Sequence, residues 1–415
     1  MFKLLVSTLA LTLALTAGAR AAEPVGAADF NVKSAIDLKA LSPANFVETL
    51  LPVARGEGEV VFYDFTESFG PLFNEHLLPR FEKKYGLKVK HVQAGPQAVQ
   101  QLIAAKMAGQ ASPADVYFIG NGNIRTANEA GIIANLPLNS LLPSAPDLDP
   151  LAATVARGYK HGGIVVPFHR NVTAIGYDTR YVKTGSEPKT LAELAAYAAA
   201  NPKKVAFTNP ARGGSGQGLL ESAIVALATE PCKARLFDFT VTPEEAKVWA
   251  EGECMTPVLD WFKGIRPHVE ITNGNTDTLT LIANGQAHVG TVWEDQTYDF
   301  SKRGLVPPTV RVRLLADGQV GDGDGIMIPA GTQKLASALL LTDFLLSDEA
   351  QLLKLELNGS RSARTKLDVA KALKPEVLEK LIPSEQYATL ARPRIVATIS
   401  SAATARFVAA ILQLP

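Results

Sequence analysis

The chain has 415 residues, with 41 Lys and Arg against 41 Asp and Glu, and this neutral balance gives a polyanion such as nucleic acid no electrostatic hold. Its length exceeds what one hydrophobic core usually supports, so two lobes are expected. Only Cys232 and Cys254 are present; two thiols cannot complete a zinc shell and their spacing is far from C-x-x-C, so in an exported chain a disulfide is expected.

Residues 1–21 carry Lys3, an apolar run from Leu4 to Leu15 and the small-x-small sequence Ala19-Arg20-Ala21. This is the pattern of a cleaved secretory signal, and the run is short of the roughly 20 residues that span hydrocarbon. No cysteine follows the cleavage site to take a lipid anchor. Residues 22–57 read as a polar, irregular leader. Glu59 to Phe65 then reads as a strand, followed by a loop at Thr66-Glu67-Ser68 and a helical pattern to Tyr85 that Pro79 splits and Gly86 ends. Leu87 to Gln93 is a strand, and Pro96 to Gly109 a helix with Val99, Leu102, Ile103 and Met107 on one face. Ala114 to Ile119 is a third strand, ended by Gly120-Asn121-Gly122-Asn123. This rhythm predicts parallel pairing, with ligands outside the carboxyl ends of the strands, where Thr66 to Phe69 and Asn121 share an edge.

Ile164-Val165-Val166 and Val172 to Tyr177 are two short β-branched runs separated by Pro167. Because proline donates nothing to a ladder, the chain is expected to leave one sheet near Pro167 and join another after Asn171, with Phe168, His169 and Arg170 at the crossing between lobes. Beyond it come a helix from Leu191 to Ala200, a strand from Lys204 to Thr208, and Arg212-Gly213-Gly214-Ser215-Gly216-Gln217-Gly218 before a helix from Leu219 to Leu227. A glycine-rich turn feeding a helix start suits an anion, with Arg212 adding charge; it is equally a tight strand-to-helix turn. Thr276 to Asn284 is a helix. Ala287 to Trp293 is a buried strand ending in Glu294-Asp295, where the chain can cross back. Val310 to Leu315 and Ile326 to Ile328 are further strands, Asp322 and Asp324 read as residues of a glycine-rich turn, and helices follow from Lys334 to Leu346 and Asp348 to Leu357.

Enzyme signatures fail. The nucleophile elbow around Ser215 has Gln217 where glycine is required, Leu219 interrupts a dinucleotide fingerprint, and a phosphate loop here lacks its lysine. The calcium-like start at Asp322 meets Gln333 at its twelfth position, and no two histidines are spaced i, i+4.

Six landmarks in order carry a resemblance: Phe62 to Ser68; Asp115-Val116-Tyr117-Phe118; Val166-Pro167-Phe168 leading to Ala174 through Asp178; Gly285 to Gly290 leading to Trp293; Gly325 to Gly331; and Phe344 to Ser347. The chain resembles the bacterial extracellular solute-binding proteins of ABC importers, in particular the polyamine, thiamine and ferric-ion group. The resemblance implies an α/β fold of type II, two lobes that each hold a mixed sheet flanked by helices and are joined by crossing strands. It implies residues 58–168 and 297–358 in the first lobe, 169–296 in the second and 359–415 as C-terminal helices. It further implies a periplasmic, monomeric, non-enzymatic receptor without cofactor or metal, delivering a small organic solute to an inner-membrane permease.

Ferric relatives carry adjacent tyrosines after the second crossing, whereas Trp293 to Tyr298 holds one. A tryptophan face and carboxylates stabilise an ammonium, so a cationic or zwitterionic, polyamine- or thiamine-like ligand is favoured. An anionic or phosphate-bearing solute is the alternative within the class, and a secreted hydrolase the alternative outside it. The candidate ligand-binding residues are Thr66, Glu67, Ser68, Asn121, Arg170, Arg212, Gly214, Ser215, Gly216, Trp293, Glu294, Asp295 and Tyr298.

Overall fold

The computed structural model describes residues 30–413 apart from 33, 34 and 96, so the expected signal peptide lies outside the described residues. In chain order the strands are β1 Val60–Asp64, β2 Val89–Gln93, β3 Val116–Gly120, the short ribbon β4 Val155–Ala156 and β5 Tyr159–Lys160, β6 Val165–Asp178, β7 Val205–Thr208, β8 Val269–Thr272, β9 Val289–Trp293, β10 Val310–Arg313, β11 Gln319–Met327 and β12 Ala391–Pro393. The main path of pairing runs β2-β1-β3-β11-β6-β9-β7-β8. β1 pairs in parallel with β2 and β3, and β7 with β8 and β9, while β11 and β9 run antiparallel to β6. Each lobe therefore has a mixed sheet whose parallel strands point their carboxyl ends at the junction.

β6 is the member common to both lobes. Val165 to Val172 pair with β11, and Thr173 to Tyr177 with β9. The partner changes, as the two apolar runs suggest, but the strand does not break at Pro167. Pro167 stands opposite Gly325, where the β6–β11 register shifts in a bulge, which is where a sheet tolerates a residue without an N–H. β11 corrects the reading of Asp322 and Asp324 as turn residues. A Cβ on Gly321 would sit 2.5 Å from the Asn171 carbonyl oxygen, one on Gly323 2.0 Å from that of His169, and one on Gly325 2.4 Å from a Val165 methyl. The glycines let β11 press against β6, and strand alternation sends both aspartates to the opposite face.

The sheet faces sort the apolar residues into four clusters. In the first lobe Val60, Phe62, Val116, Phe118 and Phe168 face one core, and Tyr117, Ile119 and Val165 another. In the second, Ile175, Tyr177 and Val289 face one core, and Val172, Ala174 and Val292 another. The leader is not irregular to its end: Phe46–Glu57 is a helix that buries Phe46, Leu50 and Ala54 despite Pro52 inside it. Helix Ala98–Met107 buries Val99 and Leu102, but Met107, expected on that face, is 84% exposed. β10, expected in the first lobe, pairs with Ile175 to Asp178 in the second. The C-terminal segment is likewise no separate unit, because Ile395, Ile399, Phe407 and Ile411 lie in the second lobe's core. Cys232 and Cys254 are joined, with Cα atoms 5.5 Å apart, within the same lobe. Among the described residues no helix is long and apolar enough to cross a membrane.

Candidate functional site

Loops and helix starts after β1, β8 and β9 converge at the junction and enclose a cavity of about 480 Å³. Glu67, Ser68 and Phe69 wall it from the first lobe. Asn275, Trp293, Asp295, Gln296, Asp299 and Arg303 wall it from the second, with Asn171 of β6 and Asn358 at the junction. Three larger hollows, of about 700, 670 and 640 Å³, are each bounded by one lobe. The two-walled cavity is the one lobe motion can close, and it joins an aromatic face to several carboxylates and amides.

On the first lobe's side, Thr66 accepts from the Ser68 amide at 3.4 Å and its hydroxyl lies 2.9 Å from that of Ser68. This cap leaves Glu67 exposed on the cavity wall. Asn121, after β3, is turned to the hinge instead: its side chain donates to Asp322 at 3.0 Å and its amide to Asp324 at 3.1 Å. Arg170 exchanges backbone hydrogen bonds with Arg361 at 3.0 and 2.8 Å.

On the second lobe's side, the helix expected from Leu219 begins earlier, at Gly214, and runs to Leu227. Its glycines are explained by close packing. A Cβ on Gly216 would lie 1.8 Å from the Thr208 carbonyl oxygen, and one on Gly214 2.7 Å from Cζ2 of Trp293. Ser215 is fully buried; its hydroxyl contacts Thr208 Oγ1 at 2.9 Å and Asn275 Oδ1 at 2.8 Å. Gly214 thus seats the Trp293 ring against the helix start, while Ser215 and Gly216 serve the helix–sheet contact. Arg212 is exposed and outside the cavity wall.

The helix Glu294–Lys302 follows β9 directly, and its first two acids part company. Glu294, read from sequence as a ligand carboxylate, is 1% exposed. It accepts from Arg361 Nε at 2.6 Å and Nη2 at 2.7 Å, and from the Ile382 amide at 2.7 Å. It faces the C-terminal segment because adjacent helical positions diverge by about 100°. Tyr298 is also withdrawn: buried, it packs on Gly359 and donates to the Glu356 carbonyl at 2.6 Å. Asp295 faces the cavity. Burial pushes its carboxyl up to about 7, Glu294 acts the same way, and the nearby Gln296 amide and Asn171 side chain pull against both.

Of the sequence candidates, then, Glu67, Ser68, Trp293 and Asp295 line one cavity, with Thr66 and Gly214 shaping it. Asn171, Asn275, Gln296, Asp299, Arg303 and Asn358 were missed. Asn275 had a signal, a polar residue after Gly274 at a helix start following a strand; Asn358 had none, since its place depends on how a distant helix returns to the junction.

The family model for bacterial extracellular solute-binding proteins matches residues 77–377. Among solved structures, an ABC transporter from Clostridium perfringens superposes with a TM-score of 0.61 at 15% identity, covering 85% of this chain and 99% of that one. The spermidine/putrescine substrate-binding protein PotD from Streptococcus pneumoniae gives 0.60 at 12%, covering 86% and 99%. The open form of ferric iron-binding protein A from Mannheimia haemolytica gives 0.57 at 15%, covering 85% and 98%. No curated protein matches the sequence.

Proposed function

The chain belongs to the bacterial extracellular solute-binding proteins, and on that premise we propose that it captures a small cationic or zwitterionic organic solute between its lobes and delivers it, as a periplasmic monomer, to an ABC permease. The supporting observation is the make-up of the two-walled cavity: the Trp293 ring stands beside Asp295 from one lobe, and Glu67 faces in from the other. A ring face and carboxylates attract an ammonium most strongly where water is excluded, as it is when the lobes close. The amides of Asn171, Asn275, Gln296 and Asn358 can serve the polar remainder of the ligand, including a carboxylate in a zwitterion. Contacts from both lobes favour the closed population, which is how capture becomes a signal to a permease. The glycine turn gives an anionic ligand in this cavity little support, since Gly214 and Gly216 are occupied with packing and Arg212 is not part of the cavity wall.

The test is thermal shift and calorimetry with a panel of putrescine, spermidine and γ-aminobutyrate, joined to native mass spectrometry of protein taken from its own periplasm. A binding amine at a hundredfold excess over Kd adds about 2.7 kcal/mol to the folded state and yields no product. Retention of a phosphorylated or purely anionic solute, with no response to any amine, overturns the cation reading; turnover of a substrate overturns the receptor reading.

A further inference from the structure

Two acids meet beside the cavity around a single imidazole nitrogen. Oδ2 of Asp295 lies 3.5 Å, and Oδ2 of Asp324 on β11 3.9 Å, from Nε2 of His169. The other ring nitrogen of His169 is engaged by Ser360 Oγ at 2.5 Å, so only Nε2 is left to face both carboxyls. Asp295 Oδ1 is buried without a hydrogen-bond partner.

Three of the four cations around this cluster are already committed. Lys354 Nζ, fully buried, donates to the Ser360 carbonyl at 3.0 Å, Ser360 Oγ at 2.9 Å and the Arg361 carbonyl at 2.8 Å, which uses its three protons. Arg361 is held by Glu294. Arg157, reaching in from the β4–β5 turn, approaches Asp322 at 3.7 Å and Glu221 at 3.9 Å. Arg170 makes no ion pair within 4.0 Å among the described residues. The cluster therefore sets two carboxyls against one neutral ring, and its Asp295 lies on the cavity wall.

We propose that the ligand's ammonium pairs with Asp295 in exchange for a proton, with Asp324 and His169 as positioning residues, so that capture below neutral pH releases a proton. The inference rests on the cation reading above and adds to it a pH dependence. The empty cluster is set up to hold protons. Burial and then Asp322 push Asp324 up to about 8, with the Asn121 amide and Arg157 opposing. Burial, with the charges of Lys354 and Arg170, holds His169 well below its usual range. Glu294 on the same helix raises Asp295 further; Lys354 feels the Asp295 charge, and burial holds its amine well below its usual range, while Asp299 and Arg303 on the cavity wall pair with each other at 3.2 Å.

The sign follows. An empty-state carboxyl at about 7 is largely protonated at pH 6 and ionised at pH 8, whereas a bound ammonium favours the anion and lowers that value. Affinity is then full above pH 8 and falls as pH drops through 7, by about tenfold between pH 8 and pH 6 for one coupled proton. Acidification outside the cell would loosen the receptor's hold.

The experiment is calorimetry of the wild type at pH 6, 7 and 8 with the tightest amine of the panel, whose amino groups stay protonated throughout, in buffers of different ionisation enthalpy. The expected result is a roughly tenfold weaker Kd at pH 6 and close to one proton released per ligand there. Asp295→Asn should lose most affinity and leave the remaining binding pH-independent, and Asp324→Asn, which replaces a carboxyl that is itself protonated below about pH 8, should keep the wild type's pH midpoint. If Asp295→Asn does not fold, the wild-type proton count decides alone. Binding with a flat Kd and no proton released overturns the coupling and leaves the cation reading intact. No amine bound at pH 8 overturns both.

Discussion

Glu294→Gln separates two roles that one carboxylate could have had. In the structure both of its oxygens accept from buried donors, Arg361 and the Ile382 amide. Glutamine would place an NH₂ where one of these acceptors stands and leave the Arg361 charge uncompensated in a buried site. Breaking a buried pair from one side costs about 3–5 kcal/mol. At about 2.1 cal/mol/K per residue, a chain of this size melting as one unit has an unfolding entropy of about 0.8 kcal/mol/K. The melting temperature should therefore fall by about 4–6 °C, and by about twice that if the second lobe melts alone. Scanning calorimetry of the ligand-free protein measures this, and amine affinity at 25 °C should stay within about threefold of wild type because the carboxylate does not reach the cavity. An unchanged melting point together with lost affinity would refute this assignment and return Glu294 to the ligand.

The remaining predictions address packing, covalent closure and motion. Gly214→Ala should weaken ligand binding with little change in melting, since its methyl would meet the Trp293 ring edge at 2.7 Å, whereas Gly216→Ala, 1.8 Å from a backbone oxygen, should fail to give folded protein; circular dichroism and calorimetry distinguish them. Thiol titration of the denatured, unreduced chain should find no free thiol, and Cys232→Ser with Cys254→Ser should cost about 3 kcal/mol for a bridge spanning 22 residues, read by urea unfolding. Small-angle scattering at saturating ligand should show a smaller radius of gyration; an unchanged radius would remove hinge closure. The pH dependence of amine binding stands as the fifth.

Where local pattern and tertiary role agree, the sequence could be read closely. The helix Leu191–Ala200 has the bounds that its alanine-rich run predicts, and β1 and β9 fall within one or two residues of theirs. Two misreadings share a cause, which is that a local signal is given a local explanation. The leader through residue 57 reads as irregular, although Phe46, Leu50 and Ala54 recur every four residues and are all buried. Gly-Asp-Gly-Asp-Gly was taken for a turn, although its alternation is the period of a strand. The turn at Gly214 and Gly216 reads equally as an anion cradle or a tight strand-to-helix turn, and one of the groups its glycines accommodate, the Trp293 ring, lies far along the chain. The site followed the same rule. Trp293 and Asp295 were legible because they end a buried strand; the direction of Glu294 was not, because Arg361 and Ile382 decide it from nearly 70 and 90 residues away.

The unbroken course of β6 through both lobes fixes more than a pivot. A slack linker can gain or lose a residue and merely change its reach, but a paired strand counts residues in twos. One residue inserted between His169 and Val172 would keep the β11 pairing on one side while turning over every position from Thr173 to Tyr177 on the other. Ile175 and Tyr177 would then exchange faces with Ala174 and Gly176, and two cores would be wrong at once. The opening angle of the cleft can accordingly be tuned by composition along β6 and β11, glycine for a larger residue or the reverse, and the length of the joint is closed to change.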